Sequence, residues 1–325
     1  MQIQTLAIVG NGFDLAHNLP TSYAQFKDSQ ETASLVSFQQ FVEKYCPEGS
    51  DWTAFEDRIN DLSMSCFLRS HDDDFDYDSV ISDVQRINKA FDTIRSSLLT
   101  YLKRVTSNTR IDVIPSIAAH IDSNTYVINF NYTATVDLYA EKVYNVHGSL
   151  TENEIVLGYD YRDEPCVIEF DMLKWSKPLC RERLAFFRFV KERMGLSPSA
   201  SLPSSFVTDV FEMQSIKNSG KGFDEDDWEG FTHANLLKQF YNGCPECYEE
   251  YQPDIEWGYI SKVGVLGHSL TADKAYLQTV LEKCVNVQEI ILFTFQGERP
   301  DELAKKKQFL EQYASNIVTC FYQVP

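Results

Sequence analysis

The sequence has no apolar run long enough to cross a membrane and no basic start of the kind that opens a signal peptide. Residues Met1 to Leu6 carry no lysine or arginine, and the first apolar run stops at Gly10. A membrane span needs about 20 mostly apolar residues, and a signal peptide joins a basic start to an apolar stretch longer than this one. We therefore expect a cytoplasmic protein that does not bind membranes.

The eight cysteines show neither a disulfide pattern nor a metal-binding pattern. They are scattered along the chain without a secretion signal, which indicates reduced thiols. Cys244 and Cys247 form a Cys-x-x-Cys pair, but tetrahedral zinc needs two more ligands. Cys166, Cys180 and His233 would supply them only through tertiary contacts. We predict no metal site.

Basic residues are scarce, because 29 Lys and Arg stand against 48 Asp and Glu and leave a formal net charge of -19. This charge repels a phosphate backbone, so we do not expect nucleic-acid binding. A nuclease would need carboxylates clustered around metal ions, whereas the acidic runs Asp72 to Asp74 and Asp224 to Asp227 fall in predicted loops. A small anionic ligand is still compatible, because backbone N–H groups and helix N-termini bind phosphates.

The sequence does contain short apolar runs that end in glycine or asparagine. Its 325 residues, 43% of them hydrophobic, suffice for one α/β domain with insertions. From Ile81 to Val105, apolar residues recur at three- and four-residue steps and predict one long helix. Strands that end in such loops before helices indicate an α/β fold with a parallel, doubly wound sheet flanked by helices. The predicted strands are Thr5 to Val9, Thr125 to Phe130, Val143 to Val146, Ile155 to Gly158, Val263 to Leu266 and Ile290 to Phe295.

Composition divides the chain into a main domain and a second region. The main α/β domain comprises residues 1–164 and 246–325, with a helical insertion at about residues 35–110. Residues 165–245 contain stretches rich in Gly, Ser, Pro and acidic residues, which predicts an insertion of helices and loops.

Four polar loops follow predicted strands and should meet at one edge of the sheet. They are Gly10 to Asp14, Asn129 to Thr133, His147-Gly148 and Gly267 to Ser269. Ligands of open parallel sheets bind beyond the carboxyl ends of the strands. Gly10 and Gly12 would let the backbone approach a diphosphate, which a Cβ atom would obstruct, although Gly-x-Gly also occurs in ordinary strand-to-helix turns.

The first loop resembles a known pattern. Gly10 to Pro20, with Tyr23 close behind, is similar to the sirtuin segment in which Gly-Ala-Gly-x-Ser leads into Ala-Gly-Ile-Pro and an aromatic residue. The letters Asn-Gly-Phe-Asp-Leu-Ala-His and Leu-Pro-Thr-Ser-Tyr resemble the bacterial abortive-infection family AbiH more closely still. Asn129 to Thr133, His147-Gly148 and Gly267 to Leu270 resemble the later motifs in the expected order.

The resemblance implies a Rossmann-like, sirtuin-like domain with a pocket for NAD or a relative. Asn131 matches the asparagine that contacts ribose and positions water, and His147 matches the histidine of the His-Gly pair. We expect these two residues to be catalytic, with His147 accepting a proton. The expected cofactor-binding residues are Gly10, Asn11, Gly12, Phe13, Asp14, His17, Thr133, Gly267, His268 and Ser269.

Two positions depart from the sirtuin pattern. Thr133 stands where that pattern has an aspartate, and Asp14 replaces the loop serine, which puts negative charge near the expected diphosphate. These differences argue against protein deacetylation. Three of the histidines also have structural interpretations, since His147 would cap a turn, His17 would close its loop and His268 would pack against neighbouring residues.

The function expected from the resemblance is that of an antiphage abortive-infection effector that hydrolyses NAD to nicotinamide and ADP-ribose. The alternative is a non-catalytic sensor of NAD, ADP-ribose or another nucleotide that signals to a partner in phage defence. Besides the nucleotide, the candidate partners are a second copy of the chain, as a homo-oligomer, and a phage-derived trigger.

Overall fold

The computed structural model describes residues 3–35, 77–155 and 255–322 apart from residues 272 and 296, together with short pieces of residues 157–253. Along residues 77–92 it describes the backbone alone. The Cys244–Cys247 pair and most of the predicted insertion at residues 165–245 lie outside the described residues.

Six strands form one parallel sheet, as the sequence predicts. The strands are β1 (Thr5–Val9), β2 (Thr125–Asn129), β3 (Lys142–Asn145), β6 (Lys262–Leu266), β7 (Glu289–Phe295) and β8 (Ile317–Tyr322). Each neighbouring pair runs parallel, and the order across the sheet is β3-β2-β1-β6-β7-β8. The middle strands are continuous apolar runs, which is typical of strands covered on both faces.

One predicted strand pairs differently from our expectation, and one strand is missed. Gly148, at φ 74°, turns the chain after β3. The next two short strands, β4 (Gly148–Ser149) and β5 (Glu154–Ile155), therefore form a separate antiparallel pair outside the main sheet. The edge strand β8 was not predicted.

Helices and helical turns connect the strands. The long predicted helix is confirmed as α3, which begins at Tyr77 and ends at Asn108. Helix α2 starts with a reciprocal cap in which Ser22 and Gln25 each accept a hydrogen bond from the other's backbone N–H. The other helices are α1 (Asn11–Ala16), α2 (Tyr23–Lys27), α4 (Pro115–Ala118), α5 (Lys274–Lys283) and α6 (Pro300–Leu310), and the 3₁₀ turns are Gln30–Leu35, Thr135–Leu138 and Trp257–Tyr259.

The core lies on both faces of the sheet, because alternate residues of each strand point to opposite sides. In β1, Leu6 and Ile8 belong to one buried cluster, whereas Ala7 and Val9 belong to the other. The first cluster includes residues of α5 and α6, and the second includes residues of α1 and α4. Burial on both faces agrees with the position of β1 in the interior of the sheet.

The chain changes direction across the sheet at β1. The strands β2 and β3 continue to one side of β1, and β6, β7 and β8 continue to the other. In open parallel sheets such a reversal leaves a crevice beyond the carboxyl ends of the two central strands. The loops that follow β1 and β6 therefore border the place where a ligand is expected.

These two loops touch each other closely. The Gly10 N–H donates to the Leu266 carbonyl at 2.9 Å, and the Gly12 N–H donates to the Gly267 carbonyl at 2.8 Å. Gly267 has φ +64°, and a Cβ added there would lie 2.2 Å from the Phe13 nitrogen. Only glycine permits this approach, since any other residue would be strained and would overlap the opposite loop.

Replacing Gly267 by alanine should strongly destabilise the fold. The left-handed backbone and the overlap together should lower the free energy of unfolding by about 3 kcal/mol or more. Urea denaturation of the two proteins measures this difference. Gly264→Ala, in the strand that precedes this loop, is a matched control, because its new Cβ would meet Leu266 Cδ1 at an ordinary 3.6 Å. Equal losses in both variants would contradict the proposed loop contact.

Candidate functional site

A cavity of about 300 Å³ lies beyond the carboxyl ends of β1, β2 and β6. This volume is at the lower end of the range of small-molecule sites. Ten of the twelve residues named from the sequence line it: Gly10, Asn11, Gly12, Asp14, Asn131, Thr133, His147, Gly267, His268 and Ser269. Phe13 and His17 do not. The structure thus brings together all four of the loops singled out in the sequence.

Gly10 and Gly12, in the loop after β1, face the loop after β6. A Cβ on Gly10 would lie 2.7 Å from the His268 Cα, and one on Gly12 would lie 2.8 Å from the Gly267 oxygen. Their N–H groups donate to carbonyls at the end of β6. Close packing of the two loops therefore accounts for both glycines, whereas the sequence suggested an approach to a diphosphate.

Asn131 joins the loop after β2 to the loop after β1. Its side-chain N–H donates to the Gly10 carbonyl at 3.1 Å, and its own backbone N–H donates to Asn129 Oδ1 at 3.1 Å. The Asn129 amide group also donates to the Thr133 carbonyl and to Asn145 Oδ1. Because Asn131 is buried yet lines the cavity, it both holds the loops together and borders the ligand space.

Asp14 is a buried carboxylate at the cavity wall. The Thr133 hydroxyl lies 2.8 Å from each carboxylate oxygen, and Thr135 lies 3.1 Å from that hydroxyl. Burial raises the Asp14 pKa from 3.8 to about 6, although the hydrogen bonds, that of Thr133 first, oppose the rise. The Asp14 carboxylate and the Thr133 hydroxyl are therefore hydrogen-bonded to each other within the protein.

Phe13 and His17 lie on the other side of α1. The His17 Nδ1–H donates to the Phe13 carbonyl at 2.6 Å, so its Nε2 accepts from the Tyr139 hydroxyl at 2.6 Å. Tyr139 in turn accepts from the Ile114 N–H. Burial lowers the His17 pKa, which keeps the ring neutral in this chain of hydrogen bonds. The position of His17 agrees with its structural interpretation.

The most concentrated group of ionisable side chains at the cavity contains two histidines and an aspartate. His147 Nε2 lies 3.2 Å from Asp273 Oδ1, and His268 Nε2 lies 3.7 Å from Asp273 Oδ2. All three side chains are at most 5% exposed. The ring of Phe130 packs edge-on against both histidines, with centroids 5.6 and 4.6 Å apart.

Seven lining residues were not among the site residues named from the sequence, although Tyr23 belongs to the segment that resembles the sirtuin pattern. Asp273 follows the Gly-His-Ser loop closely and precedes a helix, so an aspartate at a helix start was its only signal. Phe130 and Tyr132 lie inside a loop that was singled out, but they were not themselves named as ligand contacts. Thr21, Tyr23, Leu98 and Leu102 complete the wall. The two leucines come from α3, and nothing in their local sequence links them to the loops.

The described residues contain no group of three or more His, Cys, Asp or Glu side chains that could hold a metal ion. The part of the cavity wall that the structure describes also carries no lysine or arginine. Within the same described ranges, no helix is long and apolar enough to cross a membrane. The site thus contains buried carboxylates, imidazoles, an amide and aromatic rings.

Fold and site together define an α/β protein with a polar cavity at the carboxyl edge of a parallel sheet. The sequence matches the family described as Bacteriophage abortive infection AbiH over residues 6–295. The chain belongs to that family, and membership implies a role in abortive infection by phage. Searches of curated proteins and of solved structures found no match.

Asp14→Asn should stabilise the protein above pH 6. The folded state raises the Asp14 pKa from 3.8 to about 6, so ionisation of this group opposes folding, and stability is lost as the pH rises through that interval. Asparagine does not ionise and keeps a partner in Thr133. The advantage of the variant should grow from near zero at about pH 4 to roughly 3 kcal/mol above about pH 7.

Urea midpoints of the wild type and the variant at both pH values measure this advantage. Asp112→Asn is the control, because that carboxylate is 73% exposed and its replacement should change stability little at either pH. A difference in stability between Asp14→Asn and the wild type that does not change with pH would contradict the conclusion that the Asp14 carboxylate is buried and ionises with a raised pKa.

Proposed function

We propose that the chain binds NAD in this cavity and hydrolyses the bond between nicotinamide and ribose, releasing nicotinamide and ADP-ribose as an effector of abortive infection. The observation that carries the proposal is the meeting of Asn131 and His147 in one cavity with the loops that follow β1 and β6. Loss of cytoplasmic NAD would stop growth of the infected cell.

The position of the cavity supports a nucleotide ligand. When only the six strands of the main sheet are numbered along the chain, their order across the sheet is 3-2-1-4-5-6. This is the order of doubly wound sheets that bind dinucleotides. We therefore propose a Rossmann-like, sirtuin-like domain. In such sheets the ligand lies where the order reverses, between β1 and β6.

The charge of the wall favours the ribosyl end of the ligand. The described lining residues include the carboxyl groups of Asp14 and Asp273 and no lysine or arginine. Positive charge develops on the ribose carbon as nicotinamide leaves, and nearby carboxylates stabilise it. A diphosphate would be repelled by them. In this proposal the diphosphate lies towards Asn11 and Ser269 at the rim, and the nicotinamide ribose lies inside.

The proposed reaction is a substitution by water. The bond from the ribose C1′ to the nicotinamide nitrogen breaks, and its electron pair leaves with nicotinamide. A water oxygen bonds to C1′, and its proton passes to His147. Asn131 borders the same space and would orient the water, while the aromatic wall formed by Phe130 and Tyr132 would limit the access of other water.

One observation favours the alternative, a sensor that binds nucleotide without turnover. The Asn131 amide N–H already donates to the Gly10 carbonyl, and Thr133 is bonded to Asp14. Two groups expected to contact the ribose or its water are thus engaged within the protein. A sensor needs only the cavity, whereas a hydrolase needs a proton acceptor as well.

Incubation of the purified protein with NAD, with nicotinamide and ADP-ribose followed by chromatography, tests the proposal. The wild type should release both products. His147→Ala should lower the rate at least about 100-fold because it removes the proton acceptor, and Asn131→Ala should also lower it. His120→Ala is the matched control, since His120 packs against Phe293 away from the cavity and should retain activity.

Circular dichroism of each variant shows whether it is folded before rates are compared. No product from the wild type would reject the hydrolase, and saturable NAD binding in that case would support the sensor. Equal rates in the wild type and in folded His147→Ala would remove His147 from the mechanism.

A further inference from the structure

Asp273 stands between two buried histidines, and the start of its helix does not use its carboxylate. Asp273 is the N-cap residue of α5, but its side chain makes no capping hydrogen bond, and its backbone is left-handed at φ 60°. A left-handed aspartate costs stability compared with ordinary backbone. The strained position therefore needs a reason other than capping, and the two imidazoles beside the carboxylate provide one.

The proton on His268 is fixed by its own loop. The Leu270 N–H donates to His268 Nδ1 at 3.0 Å, so Nδ1 has to be the unprotonated nitrogen of the neutral ring. The proton then lies on Nε2, which is 3.7 Å from Asp273 Oδ2. His268 thus presents an N–H group towards one oxygen of the carboxylate, which helps to fix the orientation of Asp273.

His147 approaches the other oxygen of the same carboxylate. The 3.2 Å separation between His147 Nε2 and Asp273 Oδ1 is short enough for a hydrogen bond, but the two groups are not aligned as one. Catalytic hydrogen bonds are often misaligned in ligand-free structures and tighten when the ligand binds. A carboxylate at this distance favours the ring form in which the proton is on Nε2.

The opposite nitrogen of His147 has no hydrogen-bond partner in the part of the chain that the structure describes. Among the residues that the structure describes, Nδ1 of His147 is buried and makes no hydrogen bond, although the residue lines the cavity. A buried polar atom without a hydrogen-bond partner lowers the stability of the folded state. A ligand hydroxyl or a water molecule bonded to Nδ1 would restore that stability.

We propose that Asp273 is a positioning residue that holds the proton of His147 on Nε2, so that Nδ1 is the atom that accepts the substrate proton. The Nε2–H group of His268, 3.7 Å from the second carboxylate oxygen, favours the same orientation of the aspartate by electrostatic attraction. When Nδ1 takes the proton from water or a ribose hydroxyl, the imidazolium formed is stabilised by Asp273. The role in hydrolysis rests on the proposed function, whereas the placement of the proton does not.

Nuclear magnetic resonance of the full chain with ¹⁵N-labelled histidine tests the placement directly. At about pH 8.5, where unperturbed imidazole is neutral, His147 and His268 should both carry the proton on Nε2. His17 should carry its proton on Nδ1, because the Phe13 carbonyl accepts a hydrogen bond from that atom. His17 therefore serves as an internal reference for the opposite tautomer. Single His→Gln variants assign the signals.

Asp273→Asn should change His147 and leave the reference unchanged. The Nε2–H signal of His147 should move upfield or be lost to exchange with water, because the carboxylate acceptor is gone. His268 should keep its proton on Nε2, since the Leu270 N–H remains, and His17 should not move. A wild-type His147 with its proton on Nδ1, or a His147 signal that Asp273→Asn leaves unaltered, would overturn the proposal.

The assay with NAD separates this inference from the proposed function. If the wild type releases nicotinamide, Asp273→Asn should lower kcat about 100-fold or more and leave KM within about threefold, since the residue acts through His147. An unchanged kcat in the folded variant would refute the positioning role. If the wild type releases none, the hydrolase is rejected, and the magnetic resonance measurements still decide where the proton lies.

Discussion

The close contact between the loops that follow β1 and β6 is the constraint on which the rest of the site depends. Two backbone hydrogen bonds join Gly10 and Gly12 to the end of β6, and the glycines leave room for them. This contact brings His268 and Asp273 to the cavity from one side. A hydrogen bond from the Asn131 amide to the Gly10 carbonyl joins the loop after β2 to this pair of loops. Without these bonds the four loops would lie at the same edge of the sheet but would not form one cavity wall.

In and around the cavity, some polar groups are hydrogen-bonded within the protein, whereas others remain suited to chemistry. Asp14 and Thr133 satisfy each other, and His17 is tied to Tyr139 behind α1. By contrast, His147 is buried beside Asp273, and neither of its ring nitrogens makes a hydrogen bond among the described residues. Burying such a group lowers stability, and sites that bind or react commonly accept that cost. This contrast is why His147 carries the proposed chemistry and Asp14 does not.

Membership of the abortive-infection family and the geometry of the cavity support different levels of the functional argument. The family implies the biological setting, phage defence. The cavity supports a class of chemistry, because an imidazole between a carboxylate and a ligand space is suited to act as a general base. The proposal that NAD is the substrate rests on the strand order, on the charge of the wall and on the resemblance of the loops to sirtuins. Each of these can be tested independently of the others.

The sequence by itself determined five of the six strands of the main sheet, the long helix and the four loops, because apolar runs and helical periodicity are local signals that persist in the fold. It also placed ten of twelve proposed site residues at the cavity, since the carboxyl ends of parallel strands share one edge. Only the tertiary structure decided that Gly10 and Gly12 serve loop packing, that His17 faces the core and that Asp273 joins His147 and His268. Those outcomes depend on contacts between residues more than 100 positions apart, which no local pattern encodes.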